Sequence, residues 1–216
     1  MIAKRCKGAK KMDIRVNKNG IYMLFRVAKD GAVRLLHFSN KDYEKELSEK
    51  EINEAVAFEL QLAGDLQYGT HGAKHTGTGS GREMKYVSHA LALSDGEFTL
   101  ALESKKVRAA LHYQFFKGVC GVRAYSEIKN ISNEPIGVTY LSSFSLFGMD
   151  GGENGELFIP TNTWSCEADW KRFSLKALGE EQLTDQSTKR IFMSNSGTWS
   201  AKEHLPMAAY ADSACT

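Results

Sequence analysis

Period-two alternation of apolar and polar residues is the feature that most constrains this chain. Val107, Ala109, Leu111, Tyr113 and Phe115 alternate with Arg108, Ala110, His112 and Gln114. Val122, Ala124, Ser126 and Ile128 alternate with Arg123, Tyr125, Glu127 and Lys129, and Phe58, Leu60 and Leu62 with Glu59 and Gln61. Successive side chains of a strand point to opposite faces, so each run has one face for a core and one for water or a second surface. The turn chemistry agrees. Asp30-Gly31 separates residues 25–28 from 32–38, and Asp95-Gly96 separates 91–94 from 97–102. Asp-Gly between such runs predicts a tight hairpin with positive φ at both central residues, and Asn19-Gly20 turns the chain before Ile21. Strands recurring at short spacing from residue 14 to residue 195 predict an all-β fold, an antiparallel β-sandwich. Two segments depart from this. Residues 41–54 are densely charged, with a thin apolar stripe of Tyr43, Leu47 and Val56, and read as a short solvated helix or charged loop. Residues 149–155 read as a surface loop.

The 216 residues suit one domain over 1–216 with a single core. A formal net charge of +2 gives no reason to expect nucleic acid or an anionic membrane as partner. No apolar run approaches the ~18 residues of a membrane span. Residues 1–11 are basic, but no hydrophobic stretch follows, so the pattern is not that of a signal peptide. Cys6, Cys120, Cys166 and Cys215 are scattered without a Cys-x-x-Cys pair, which fits free thiols in a reducing cytoplasm. No cofactor is expected.

Residues 68–89 concentrate polar chemistry. His71, Lys74, His75, Thr76, Thr78 and Arg82 lie in a run broken by Gly69, Gly72, Gly77, Gly79 and Gly81. Glycine costs about 1 kcal/mol per helix position, so this run is expected to be a loop rather than a regular helix. The stretch resembles the first signature of the N-terminal β-sandwich of family 36 glycoside hydrolases, the α-galactosidases. Further segments resemble that family in order: residues 121–125 with Asn130 and Asn133, residues 142–144, the tryptophan-rich 162–170, and 197–207 with its Leu205-Pro206-Met207. The ordered set covers roughly residues 57–210; the first 56 match only in strand character. The resemblance implies a galactose-mutarotase-like supersandwich, incomplete at its C-terminus, since family members run several hundred residues further and this chain stops soon after the Leu-Pro-Met segment.

His71 and His75 have the four-residue spacing of a helical zinc pair, but the surrounding glycines oppose a helix and no third ligand stands near. Gly77-x-Gly79-x-Gly81 lacks the Gly-Lys-Ser/Thr ending and βαβ context of a phosphate loop. The remaining readings are a polar structural loop and, on the resemblance, a loop that lends His71, Lys74 and His75 to a sugar pocket. Of the three tryptophans, Trp199 is expected in a core or interface. Trp164, near Asn162, Glu167 and Asp169, is the candidate sugar-stacking ring. Glu167 and Asp169 invite comparison with a glycosidase acid pair. In family 36, however, both catalytic aspartates lie in a barrel that follows the sandwich, and no segment here looks like that barrel. Surface carboxylates are therefore the better reading, with no catalytic residue in this chain.

Three functions compete. The first is a non-catalytic domain of an α-galactosidase acting on melibiose- or raffinose-type α-galactosides, packed on its own barrel in a homo-oligomer. The second is a free-standing carbohydrate-binding module. The third is a structural interaction domain.

Overall fold

The computed structural model describes residues 11–43, 47–65, 77–92, 96–147, 155–179, 191–195 and 197–211. These fall into two compact units, one within residues 11–147 and one within 155–211. Strands predominate and every strand pairing is antiparallel, so the all-β expectation holds.

In the first unit, β1 (Met12–Lys18), β2 (Ile21–Val27) and β3 (Val33–Ser39) form one sheet in that order. A second sheet runs β5 (Lys85–Ala92), β6 (Glu97–Glu103), β7 (Val107–Phe115), β8 (Val122–Asn130). Strands β4 (Leu60–Leu62) and β9 (Val138–Leu141) pair separately. The inward residues of the two larger sheets, among them Val16, Met23, Phe25 and Leu35 on one side and Phe98, Leu100, Leu111 and Tyr113 on the other, share one buried cluster. Phe25 is fully enclosed, with its ring centroid 5.4 Å from that of Phe98 and 5.3 Å from that of Tyr113. This is sheet-on-sheet packing, and the alternation read in β7 is reproduced residue by residue.

Local chemistry sets the turns. Asn19 and Gly20 both have positive φ (51° and 81°), and Lys18 pairs with Ile21, so this is a two-residue hairpin loop of the expected kind. At Asp30-Gly31 the expectation of two positive φ values is corrected, since only Gly31 has one (84°). Its N–H donates to Ala28 O (2.9 Å), Ala28 N–H donates to Ala32 O (2.8 Å), and Asp30 Oδ1 accepts Ala32 N–H (3.1 Å). The loop is therefore one residue longer, with Gly31 in the bulge position. Among the described residues of 41–54, α1 (Glu49–Glu54) is the helical part, begun by a capping box between Ser48 and Glu51. Residues 41–43 are irregular because Ser39 and Asp42 side chains take the backbone N–H groups of Lys41 and Tyr43. A bulge between Leu24 and Phe25 places Leu36 beside Leu24 and Ala55 in a smaller cluster, against which Tyr43, Leu47 and Ile52 pack.

The second unit contains β10 (Glu156–Thr163), β11 (Cys166–Ser174) and β12 (Ala209–Ala211), ordered β11–β10–β12. Between Ser174 and residue 195, where strands were expected to continue, the described residues 175–179 and 191–195 are not strand, and residues 180–190 lie outside the described residues. Residues 149–154 of the expected surface loop lie outside the described residues.

Gly96 tests the hairpin between β5 and β6. Its φ is +64°, and an added Cβ would lie 2.7 Å from Phe115 O, whose own N–H donates to Gly96 O at 2.8 Å. Gly118 has φ +77° with open space around it. Gly118→Ala should cost about 1–2 kcal/mol for the left-handed backbone alone. Gly96→Ala should cost more, about 3 kcal/mol, because the carbonyl must also move. Urea unfolding of both variants checks this; equal losses would sink the steric argument.

Candidate functional site

The described end of the glycine-rich segment, Gly77 to Met84, is built into the first unit by polar contacts. Thr78 is fully buried; its Oγ1 donates to Leu60 O (2.5 Å) and accepts the N–H of Gly81 (3.0 Å). It thereby caps α2 (Gly79–Glu83), a single helical turn. The Asp65 carboxylate accepts Ser80 N–H (3.0 and 3.2 Å to its two oxygens), and Glu59 Oε1 accepts Gly77 N–H (3.4 Å). The expectation that this run holds no helix is thus corrected for Gly79–Glu83. Thr78 and Asp65 satisfy N–H groups that a helix start leaves without partners, offsetting the glycine penalty. Glycine is also needed here, since a Cβ on Gly81 would lie 2.9 Å from Thr78 Oγ1 and 3.1 Å from Glu59 Oε2.

Glu59 is the notable titratable group. It is 6% exposed, between Ser142, which receives its N–H on Oγ (2.9 Å), and the Gly77–Gly81 backbone. Burial pushes its carboxyl up to about 7, against the opposing pull of the Gly77 N–H and the guanidinium charges of Arg34 and Arg82. Arg34 is itself shifted down by burial, and its Nε is buried without a hydrogen-bond partner among the described residues. Desolvation therefore outweighs attraction on both sides of this pair. A buried carboxyl that changes charge near neutral pH, beside a glycine-rich segment, is the kind of perturbed group found at functional sites.

His71, Lys74 and His75 lie outside the described residues. Trp164 is described: it occupies the turn between β10 and β11 and is 85% exposed. Ser165, beside it, has φ 61°, and its N–H donates to Glu167 Oε1 (3.1 Å). Asp169 forms an ion pair with Lys171 at 2.5 Å. Glu167 and Asp169 are thus engaged locally at the surface of β11. Of the core or interface position expected for Trp199, the core is corrected: the residue is 65% exposed and outside any strand, where no strand periodicity directs its side chain inward.

The tryptophan-rich segment and the Leu-Pro-Met segment come together. Asn162 Nδ2 donates to Ala201 O (2.5 Å), Asn162 N–H donates to Glu203 O (2.9 Å), Leu205 N–H donates to Pro160 O (3.1 Å), and Asn162 Oδ1 accepts Ala168 N–H (3.1 Å). Asn195 holds the adjoining bend, donating to Ser200 O and His204 O and accepting from the N–H groups of Glu203 and His204.

One constellation had no signature in the sequence. On the outer face of the second sheet, Glu97 accepts from His112 Nδ1 (2.7 Å) and Gln114 Nε2 (2.9 Å). The His112 ring stacks on Tyr125 (centroids 4.5 Å apart, 4° between planes), and Arg123 lies 5.4 Å over the other ring partner, Tyr125. These hydrogen bonds, that from His112 foremost, hold the Glu97 carboxyl below its ordinary range. Alternation places His112, Gln114, Arg123 and Tyr125 on polar faces, but only the registers Glu97↔Gln114↔Arg123 and Thr99↔His112↔Tyr125 assemble them. Among the described residues no three His, Cys, Asp or Glu side chains converge as a metal site. The chain matches no protein-family model and no curated protein.

Glu59 makes stability depend on pH with a definite sign. Its native value, about 7, lies above the ordinary 4.5, so between these the native state holds a proton that the unfolded chain releases. The contribution is full below pH ~4.5 and is lost as pH rises through 7, by at most on the order of 3 kcal/mol. Glu59→Gln should flatten this part of the profile and exceed wild-type stability at pH 8. Denaturant midpoints from pH 4.5 to 8 test it; a wild-type profile with no downward component that the glutamine variant removes refutes it.

Proposed function

We propose that this chain is the N-terminal, non-catalytic β-sandwich domain of an α-galactosidase resembling glycoside hydrolase family 36. The observation that carries this reading is the interlocking of segments that resemble the family separately. Residues 162–170 and 197–207 are joined through Asn162, Pro160 and Leu205. The Arg123-x-Tyr125 pair lies on β8, and Asn130 at its end accepts Ser132 N–H (2.9 Å) and donates to Glu134 O (2.8 Å), closing the next turn. The motif residues thus have structural work of the kind that would make them recur. An all-β antiparallel architecture supports the same reading.

In this proposal the enzyme hydrolyses terminal α-galactosides such as melibiose and raffinose by a retaining double displacement, with both carboxyl groups on a separate barrel. This domain supplies packing on that barrel, contacts in a homo-oligomer, and polar groups from the glycine-rich loop, His71, Lys74 and His75, to the sugar pocket. A cytoplasmic setting fits sugar catabolism and the scattered cysteines. A second reading, a free-standing carbohydrate-binding module, is favoured by Trp164, whose 85% exposure at a hairpin tip leaves ring surface open to sugar C–H groups.

Three measurements test these readings. The 216-residue chain alone should not hydrolyse an aryl α-galactoside. Turnover that Glu167→Ala or Asp169→Ala abolishes would make the sandwich itself catalytic. In the full enzyme, Lys74→Ala or His75→Ala should raise KM about two- to tenfold for an oligosaccharide, from roughly 0.5–1.5 kcal/mol per lost hydrogen bond, with a smaller effect on a small aryl galactoside. Wild-type kinetics in both variants on every substrate would remove the loop from the pocket. Tight glycan binding by the isolated chain, lost in Trp164→Ala, would favour the module.

A further inference from the structure

We propose that strand β11 pairs antiparallel with β11 of a second copy of this chain, about a twofold axis at Trp170, joining two β11–β10–β12 sheets edge to edge. The inference is independent of the α-galactosidase reading. Strand β11 ends its sheet, and among the described residues no strand lies on its other side. It is nine residues long and mostly exposed. A long open edge presents unpaired N–H and C=O groups to another chain.

The backbone decides which groups face that edge. On β10, Pro160 has no N–H and its carbonyl accepts Leu205 N–H, while Asn162 N–H donates to Glu203 O. Positions 160 and 162 therefore direct their backbone groups away from β11. Trp170 is the register partner of Pro160, so this is a pair without mutual hydrogen bonds. The N–H and C=O of Trp170 then point to the open edge, and by alternation those of Arg172 do too. Ala168 N–H is taken by Asn162 Oδ1, and its φ of 54° bends the strand, so the free ladder ends there.

Charge selects the register. With Trp170 opposite Trp170 of the copy, edge-facing groups meet edge-facing groups, and each Asp169 lies opposite a Lys171. A two-residue slip one way sets Asp169 against Asp169; the other way sets Lys171 against Lys171. An odd slip sets edge-facing groups of one strand against inward-facing groups of the other. The centred register alone satisfies both backbone and side chains, since unlike charges directly opposite stabilise a strand pair and like charges oppose it. The two Asp169–Lys171 ion pairs become a ring of four alternating charges, and two half-exposed Trp170 rings meet at the axis. The ladder is short, so the dimer is weak and concentration-dependent.

Sedimentation velocity of the 216-residue chain over a concentration series tests this, with folding followed by far-UV circular dichroism. Wild type should show a monomer–dimer equilibrium. Asp169→Lys or Lys171→Asp should each weaken it by about tenfold or more, and Asp169→Asn less, because two unlike contacts are lost or reversed. The double reversal, Asp169→Lys with Lys171→Asp, should restore dimerisation to within about threefold, since the ring of charges is only exchanged. Trp199→Ala should leave it unchanged. A monomeric wild type at every concentration overturns the proposal. So does association that charge reversal does not weaken, that the double reversal does not restore, or that Trp199→Ala abolishes.

Discussion

The face-to-face contact of two sheets around Phe25 is the interaction on which the first unit depends. Phe25 is fully enclosed between Phe98 and Tyr113, and both sheets send their alternate side chains toward it. Burying three aromatic rings removes several hundred Å² of apolar surface from water, the largest favourable contribution available to a domain of this size. Tyr113 shows how dry the layer is: burial raises its phenol above the ordinary range. Left-handed residues at Asn19-Gly20, Gly31 and Gly96 lie at the chain reversals next to this layer.

Against that core lies a second, polar constraint. The glycine-rich segment ends in a turn held by Thr78, Asp65 and Glu59, each accepting backbone N–H groups that would otherwise lie unpaired. The arrangement satisfies the backbone at the expense of a desolvated carboxyl. Thr78 and the Cβ-free approach of Gly81 make the turn possible, and Glu59 carries the cost of enclosing it. Helix propensity alone points the other way, because it counts glycines and not the caps that offset them.

The second unit rests on different chemistry. Ile159 and Pro160 are buried, but Trp164, Trp170, Phe192, Trp199 and Met207 are exposed. Backbone pairing by side-chain amides takes a larger part: Asn195 satisfies both ends of its amide with four bonds, and Asn162 ties β10 to two other segments. A unit held this way leaves its aromatic residues available for contacts outside itself.

What the sequence determined by itself is local. Alternation in 107–115 and 122–128 dictated strands, and Asn19-Gly20 dictated a hairpin, because each depends on neighbours a few residues away. Tertiary structure decided the rest. Glu97, His112 and Tyr125 become one network only when three strands adopt a particular register. Glu59 looks like any outward residue of an alternating run, yet Gly77 and Gly81, about twenty positions on, close over its carboxyl. Trp199 stands among strand-like neighbours and is nevertheless open to water. Burial and pairing arise from groups distant along the chain, so the charge state of a carboxyl and the exposure of a ring follow from the fold and not from the local pattern.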